Sequence, residues 1–285
     1  MQEISPHVFI ETGYPGVSLG AISWPHGLIL VDAPFRPDDV RLWRTTLLNM
    51  SGGVDRLLVN LDAHYDRTLG TRLMECTVCG HEKMVQVFRD RPVTFKAQTI
   101  ETGAEWELYN GIGSVRWAPP EISFSQNINI FWDGNPMLLE YHPGPSPESI
   151  WLNLPDEKIV FVGDTVVPNA PPFLAAANIA EWQAALALLL SADFQDFTVI
   201  SGRDGVVVRD EIQKQVRFLQ SVDEIMQEFL ENKTSSDELE KHIPRLLKQF
   251  EIPEGKREHY WMRLKWGLQH YYAVHSKLKS SGQNE

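Results

Sequence analysis

The chain has 285 residues, of which 43% are hydrophobic, and this is enough to bury one large core. Its 38 acidic and 26 basic residues give a formal charge of -12, which disfavours nucleic acid and anionic membranes as partners. Two cysteines cannot build a disulfide framework, no secretory leader follows Met1, and no apolar run is long enough for a bilayer, so we expect a cytoplasmic protein.

The first part of the sequence alternates strands with helices. Leu28–Val31 is a predicted buried strand that ends at Asp32, and Pro37 opens a helix with apolar residues at helical spacing. Arg56–Leu61 is the next predicted strand. A helix is predicted from residue 68 to about residue 75, and a further short element begins near residue 85.

The sequence from about Trp117 onward predicts a second set of strands and one helix. The helix is expected at Ala180–Leu190, between the last two strands. The strands are predicted at Asn127–Ile130, Met137–Tyr141, Ser149–Leu154, Lys158–Val162 and Phe197–Ile200.

The character of the sequence changes at Val208, where a tail of helices begins. Apolar residues from Ile212 to Phe229 follow one face of a long helix. Ser235 and Glu238 form a capping box for a second helix, which Pro244 is expected to kink or break. A third helix is predicted after Trp261.

The segment Leu61–Arg67 has the pattern of a metal-binding loop in which some ligands are replaced. Asp62, His64 and Asp66 alternate directly after a buried strand, at the carboxyl end where sites of layered folds usually lie. Arg67 follows at a position where a further ligand could stand. Activity therefore depends on whether this loop still holds a metal ion.

Five segments in this order resemble the metallo-β-lactamase superfamily. They are Leu28–Pro34, Asp62–Arg67, Pro143–Ile150, Lys158–Thr165 and Ser201–Arg203. The resemblance implies an αββα sandwich of two similar halves with a dinuclear metal site between the sheet edges. It runs from about Val8 to Gly205. We therefore expect a metallo-β-lactamase-like domain at residues 1–207, with residues 208–285 packed on it as a helical extension similar to that of some hydrolase members.

Seven positions of this sequence correspond to metal ligands of the family. Three of them keep the family residue, namely His64, Asp66 and Asp164. The other four hold a different residue where the family has histidine, namely Asp62, Arg67, Pro145 and Arg203. Arginine and proline side chains offer no lone pair to a metal, so three of these four positions cannot act as ligands.

One interpretation is a hydrolase that works with a single ion. Asp62, His64, Asp66 and Asp164 are the candidate ligands, and Asp66 is the candidate catalytic residue. The ion would be Mn²⁺, Zn²⁺ or Fe²⁺, and the oxygen-rich set favours harder ions such as Mn²⁺. The substrate would be a small ester, thioester, lactam or phosphoester, with an arginine stabilising its developing negative charge.

The other interpretation is a catalytically silent protein without a metal ion. Buried carboxylates need partners, and an Asp66–Arg67–Asp164–Arg203 cluster supplies them. The cleft would then bind a small anionic ligand or a protein partner through Arg67 and Arg203, with His142 as a third binding candidate. Aromatic residues of the tail suit either internal packing or a homodimer face.

Overall fold

The computed structural model describes residues 1–50, 53–96, 102–132 and 136–281. Within these ranges the chain forms a seven-stranded sheet, a six-stranded sheet and a two-stranded ribbon, with helices beside them. In the same ranges, none of the helices combines the length and the apolar character that crossing a membrane requires.

The first half of the chain builds the seven-stranded sheet. Short 3-10 helices at Thr71–Met74 and Glu105–Leu108 interrupt its connections. The elements are β1 (Gln2–Ser5), β2 (Val8–Glu11), β3 (Leu19–Ser23), β4 (Gly27–Val31), α1 (Pro37–Leu48), β5 (Asp55–Val59), α2 (Tyr65–Thr68), β6 (Thr77–His81), α3 (Glu82–Asp90), β7 (Thr94–Lys96), β8 (Ser114–Arg116) and β9 (Ile122–Phe124). The sheet order is β1-β2-β3-β4-β5-β6-β9, with β4, β5, β6 and β9 parallel to one another.

The second half builds the six-stranded sheet, whose strands lie in sequence order. Its elements are β10 (Asn127–Ile130), β11 (Met137–Tyr141), β12 (Ile150–Leu154), β13 (Ile159–Gly163), α4 (Ile179–Leu189), β14 (Thr198–Ser201) and β15 (Gly205–Val207). Among these described strands only β13 and β14 pair in parallel. The connection between them runs through α4, which carries the chain back so that β14 starts at the same end of the sheet as β13.

The tail consists of α5 (Arg209–Asn232), a 3-10 helix at Ser236–His242, α6 (Ile243–Leu247) and α7 (Arg257–Ser281). The Ser235 hydroxyl accepts a hydrogen bond from the backbone N–H of Asp237, at 3.4 Å, at the start of the 3-10 helix. Pro244 lies in the first turn of α6, where its missing N–H is tolerated, so the chain changes helix type at that point.

The side-chain alternation of the central strands explains the layer order. In β4, Ile29 and Val31 pack between the two sheets, whereas Leu28 and Leu30 pack against α1. In β13, Ile159 and Phe161 pack between the sheets, whereas Val160 and Val162 face α4 and the tail. Because both faces of each strand are covered, all five residues of each are buried. The layers are therefore helix, sheet, sheet and helix.

Two local predictions differ from the structure. The helix predicted from residue 68 to residue 75 is a single turn, α2, followed by the 3-10 helix. Gly70 separates the two; it is a poor helix former, and a Cβ there would lie 1.8 Å from the Pro34 carbonyl oxygen. The element expected near residue 85 begins earlier, because His81 Nδ1 accepts from the Lys83 N–H at 3.3 Å and caps α3.

The packing of α7 generates a stability prediction. Leu264 is fully buried in the core that α4 and the second sheet share, whereas Val274 of the same helix is half exposed. We expect Leu264→Ala to lower the free energy of unfolding by about 2–5 kcal/mol, and Val274→Ala to change it by less than about 0.5 kcal/mol. Denaturant unfolding measures both, and equal effects would contradict the packing described.

Candidate functional site

The candidate site lies at the carboxyl ends of parallel strands from both sheets. Asp32 follows β4, and the Leu61–Arg67 loop follows β5. In the other sheet Asp164 follows β13, and Arg203 lies two residues beyond the end of β14. Because these strand ends open toward the same region between the sheets, the two halves of the chain bring their charged side chains together there.

Arg67 is a fully buried cation that contacts three carboxylates. Its Nη1 donates to Asp32 Oδ2 at 3.1 Å, and its Nη2 donates to Asp164 Oδ1. Its Nε lies 3.0 Å from Asp62 Oδ1. Each of the three nitrogens therefore faces a carboxylate oxygen, two from the first half of the chain and one from the second.

Arg203 forms the second centre of positive charge. Its Nε and Nη2 donate to the Asp164 carboxylate at 2.8–3.1 Å, in a bidentate arrangement. Its Nη1 donates to Asp66 Oδ2 at 2.9 Å and to the Gly16 carbonyl oxygen at 3.0 Å. Nη2 also lies 3.2 Å from His64 Nδ1. Only 6% of the side chain is exposed, so these contacts are largely shielded from water.

Asp66 and His64 are held by backbone groups as well as by Arg203. Asp66 accepts from the N–H groups of Glu105 and Trp106 at 3.2 and 2.9 Å. His64 Nδ1 accepts from the Asp66 N–H at 3.1 Å, which caps α2. Burial and the Arg203 charge lower the pKa of His64 to about 3, so the imidazole is neutral, and Nδ1 as an acceptor places its proton on Nε2.

We call the six charged residues the arginine–carboxylate cluster: Asp32, Asp62, Asp66, Asp164, Arg67 and Arg203. The two guanidinium groups keep the pKa of Asp164 well below its usual range, although burial acts against ionisation. Burial instead dominates at Asp32, whose pKa rises to about 6 despite Arg67, and it also raises the pKa of Asp62. Two permanent cations thus face four carboxylates, of which two are strongly ionised.

One glycine makes room for Arg67, and a second forms the turn before Asp164. A Cβ on Gly202 would lie 2.5 Å from Arg67 Nη1, and Gly163 adopts a left-handed φ of +57° at the turn that precedes Asp164. Asp32 is itself left-handed, at φ +59°, a conformation that aspartate tolerates better than most residues. Its Oδ1 accepts from the Leu61 N–H at 3.1 Å, which fixes its carboxylate toward Arg67.

The side chains present do not fit the dinuclear metal site that the family resemblance implies. The lone pairs that a metal would need on Asp66, Asp164 and His64 Nδ1 already accept from backbone N–H groups or guanidinium nitrogens. A guanidinium about 5 Å from a divalent ion would repel it by roughly 6–7 kcal/mol at an effective dielectric near 20. Among the residues described, no group of three or more His, Cys, Asp or Glu side chains is arranged to hold a metal ion.

A cavity of about 530 Å³ opens beside the cluster, and we call it the site cavity. Asp62, His64 and Asp164 line it on one side, together with Pro145 of the middle loop. Arg67, Arg203 and Asp66 do not reach its wall, because their polar atoms are engaged inside the cluster. The arginines predicted to bind a ligand are therefore turned into the protein rather than toward the cavity.

Residues outside the predicted ligand set complete the wall. Phe173 lies between the guanidinium groups of Arg203 and Arg263, with its ring centroid 4.8 and 4.3 Å from their Cζ atoms. Arg263 reaches the cavity from α7 and donates to the carbonyl oxygens of Gly103 and Pro171. Glu148 and Arg91 also line the cavity. Nothing in local sequence distinguishes these residues from solvated surface charges.

His142, the third predicted binding residue, does not line the site cavity. Its imidazole stacks on Trp151, with ring centroids 3.8 Å apart and planes 25° from parallel. Burial lowers the pKa of His142 to about 4, which is consistent with a neutral ring packed on an indole. The residue therefore contributes to packing in this conformation.

This burial predicts an acid-dependent loss of stability. The unfolded chain protonates His142 below about pH 6.5, whereas the folded protein does so only near pH 4. Its stabilising contribution is therefore complete above pH 6.5 and is lost as the pH falls toward 4. His142→Phe keeps the stacking but removes the titrating group. Between pH 7 and 4 we expect its free energy of unfolding to fall less than that of the wild type, and the difference between the two losses to be on the order of 1–3 kcal/mol. Urea unfolding across this range measures the difference, and parallel curves would contradict it.

No family model matches this sequence, and no curated protein matches it either. Solved structures do match its fold. A metallo-β-lactamase from Pontibacter korlensis is 17% identical, with a TM-score of 0.60 over 77% of this chain and 97% of that one. A metallo-β-lactamase family protein from Thermus thermophilus is 15% identical, with a TM-score of 0.65 over 98% and 95%.

A third structure, the stereoselective inverting sec-alkylsulfatase Pisa1 from Pseudomonas sp., is 12% identical, with a TM-score of 0.68. It covers 95% of this chain, which spans about half (49%) of the sulfatase chain. Likenesses at these identities establish the architecture alone. The two facing sheets with helices outside them form this architecture, and the chain has the αββα metallo-β-lactamase fold.

Proposed function

We propose that this protein descends from hydrolases but binds a small ligand in its site cavity without metal-dependent hydrolysis. The observation that carries the proposal is the pair of guanidinium groups on Asp164, which corresponds to the family's bridging metal ligand. Arg67 and Arg203 occupy this carboxylate from two sides. A cation that is part of the chain thus takes the place that the fold's relatives give to metal ions.

The chemistry of the cluster differs from that of a metal pair. A metal ion lowers the pKa of a bound water molecule and so generates hydroxide at neutral pH. A guanidinium group offers N–H donors and positive charge, but unlike a metal ion it has no coordination position for the lone pair of a water molecule. Arg67 and Arg203 can therefore balance the buried carboxylates, yet they do not supply an activated water molecule of that kind.

The single-ion hydrolase is the competing proposal, and the geometry disfavours it. An ion among Asp62, His64, Asp66 and Asp164 would require Arg203 to release its contacts with Asp66 and Asp164. It would also leave Arg67 buried beside the new charge. The hydrolase titles of the similar structures support hydrolase ancestry, but they describe sites in those proteins.

The site cavity supports a role in binding. Its volume of about 530 Å³ is within the usual range for small-molecule sites, roughly 300–1,000 Å³. Apolar side chains from three parts of the chain form much of its wall, including Val87, Leu174 and Trp266. The charged side chains in the same wall would orient a ligand.

The first test is metal content. We expect protein purified without chelator to hold well under one equivalent of Mn, Fe or Zn, and its melting temperature to stay unchanged in EDTA, because the guanidinium groups already pair with carboxylates that a metal ion would need. Plasma mass spectrometry and thermal unfolding measure these two quantities. Near-stoichiometric metal that disappears in Asp164→Ala would support the single-ion hydrolase and overturn the proposal.

The second test restores the family ligands. We expect Arg67→His, Arg203→His and Pro145→His in one chain to create measurable zinc affinity, because the three changes supply imidazoles and remove two cations. Pro145→His alone is the matched control and should remain indifferent to zinc, since both arginines stay in place. Calorimetric titration with Zn²⁺ distinguishes them. A triple variant that binds no zinc would show that these loops are not arranged like the family's ligand loops.

A further inference from the structure

Three cationic side chains line the site cavity, namely Lys83, Arg91 and Arg263. Lys83 is exposed to water and donates to the Tyr141 hydroxyl at 2.5 Å. Arg263 is buried, but its Nη2 lies 3.5 Å from Glu105 Oε1, so a carboxylate compensates its charge. Lys83 therefore has a hydroxyl partner and contact with water, and Arg263 has a carboxylate partner.

Arg91 differs from the other two. It directly follows α3, and its guanidinium lies over the rings of Tyr65, Phe88 and Trp117, 4.3–5.0 Å from their centroids. Its Nη2 donates to the Ala63 carbonyl oxygen at 2.7 Å. Within the described part of the chain, its Nη1 is buried without a hydrogen-bond partner, and no carboxylate lies within 4 Å of the group.

This environment leaves the positive charge of Arg91 only partly compensated. The aromatic faces attract a cation, but they do not replace the hydrogen bonds that a guanidinium makes in water. A buried cation is normally paired with an anion. Because Arg91 lines the cavity, an anionic group of a bound molecule could supply the missing counter-charge.

The four carboxylates on the same wall do not prevent this. Asp90 is exposed to water and accepts from Gln86 Nε2 at 2.9 Å. Asp62 and Asp164 face Arg67, which neutralises part of their charge. Glu148 accepts from the Ala63 N–H at 3.3 Å, and burial together with Asp62 raises its pKa. A shift in this direction favours the protonated acid, which repels an anion less and can donate a hydrogen bond to it.

The remainder of the wall fixes the character of the rest of the ligand. It is mostly apolar and comes from α3, from the loop before α4 and from α7, with Val87, Phe173, Leu174, Ala175, Ala176, Trp266 and Gly267 as its members. We propose that the site cavity binds a monoanion with an apolar body, and that Arg91 holds its anionic group. This inference rests on the proposed function, because it assumes that the cavity is the binding site.

Calorimetric titration with three eight-carbon probes tests the inference on the full chain. We expect octanoate or octyl sulfate to bind at least tenfold more tightly than 1-octanol, because only the anions compensate Arg91. The two anions distinguish a carboxylate ligand from a sulfate ligand, and a preference for either one supports the proposal. Equal affinity for the alcohol and both anions, or no binding of any probe, would overturn it.

Variants assign the effect to Arg91. Arg91→Met should weaken binding of the preferred anion at least tenfold and leave the affinity for 1-octanol within about twofold, whereas Arg91→Lys should keep part of the preference. Arg89→Met is the matched control, because Arg89 is exposed in the last turn of α3 and does not line the cavity. Undiminished anion binding by a folded Arg91→Met would contradict the assignment.

The wild-type comparison of anion with alcohol decides the inference even if Arg91→Met does not fold. Failure of the inference about Arg91 is also distinguishable from failure of the proposed function. Protein that binds 1-octanol as tightly as octanoate and remains free of metal would keep the ligand-binding role and lose the role of Arg91. Protein that carries a stoichiometric metal ion would instead remove the proposed function itself.

Discussion

The compensation of buried charge at Asp164 is the constraint on which the rest of the site depends. This carboxylate comes from the second half of the chain, and both guanidinium groups converge on it. Arg67 then connects it to Asp32 and Asp62 of the first half, and Arg203 connects it to Asp66. Removing one member would leave an uncompensated charge in the interior, so the six residues stabilise one another only as a set.

The charged groups of the arginine–carboxylate cluster already contact one another, so the cluster has little capacity to bind a further molecule. The nitrogens of Arg203 and the two terminal nitrogens of Arg67 donate to acceptors inside the protein. Arg67 is fully buried, and within the described part of the chain its Nε lies 3.0 Å from Asp62 Oδ1 without forming a hydrogen bond. Recognition of a ligand must therefore come from side chains that the cluster does not use. Arg91, Glu148 and the loop Ala63–Tyr65 line the same cavity, to which the tail contributes Trp266. Under the proposed function, structure and recognition are divided between different arginines.

Much of the site could be predicted from the sequence because strand ends locate it. Asp66, Arg67, Asp164 and Arg203 each follow an apolar run, and the structure joins all four in one network. The pairing differs in detail, since Arg67 contacts Asp32 and Asp62 rather than Asp66. A carboxylate after a strand can turn in several directions. The left-handed backbone of Asp32 and its hydrogen bond from the Leu61 N–H orient this carboxylate toward Arg67. Arg91 could not be predicted, because an arginine at a helix end is usually solvated.

A guanidinium group carries one positive charge and a divalent metal ion carries two, and they differ in a further respect that bears on function. A metal ion can exchange ligands, so a site built around it can take a water molecule or a substrate into its coordination sphere. A guanidinium is covalently fixed, remains charged at any accessible pH, and gains stability here from the carboxylates around it. In this chain, hydrogen bonds from Arg203 already occupy lone pairs of Asp66 and Asp164 that such an exchange would need. The cavity beside the cluster is shaped mainly by other residues, since Phe173, Leu174 and the tail form its wall together with Asp62 and Asp164 of the cluster.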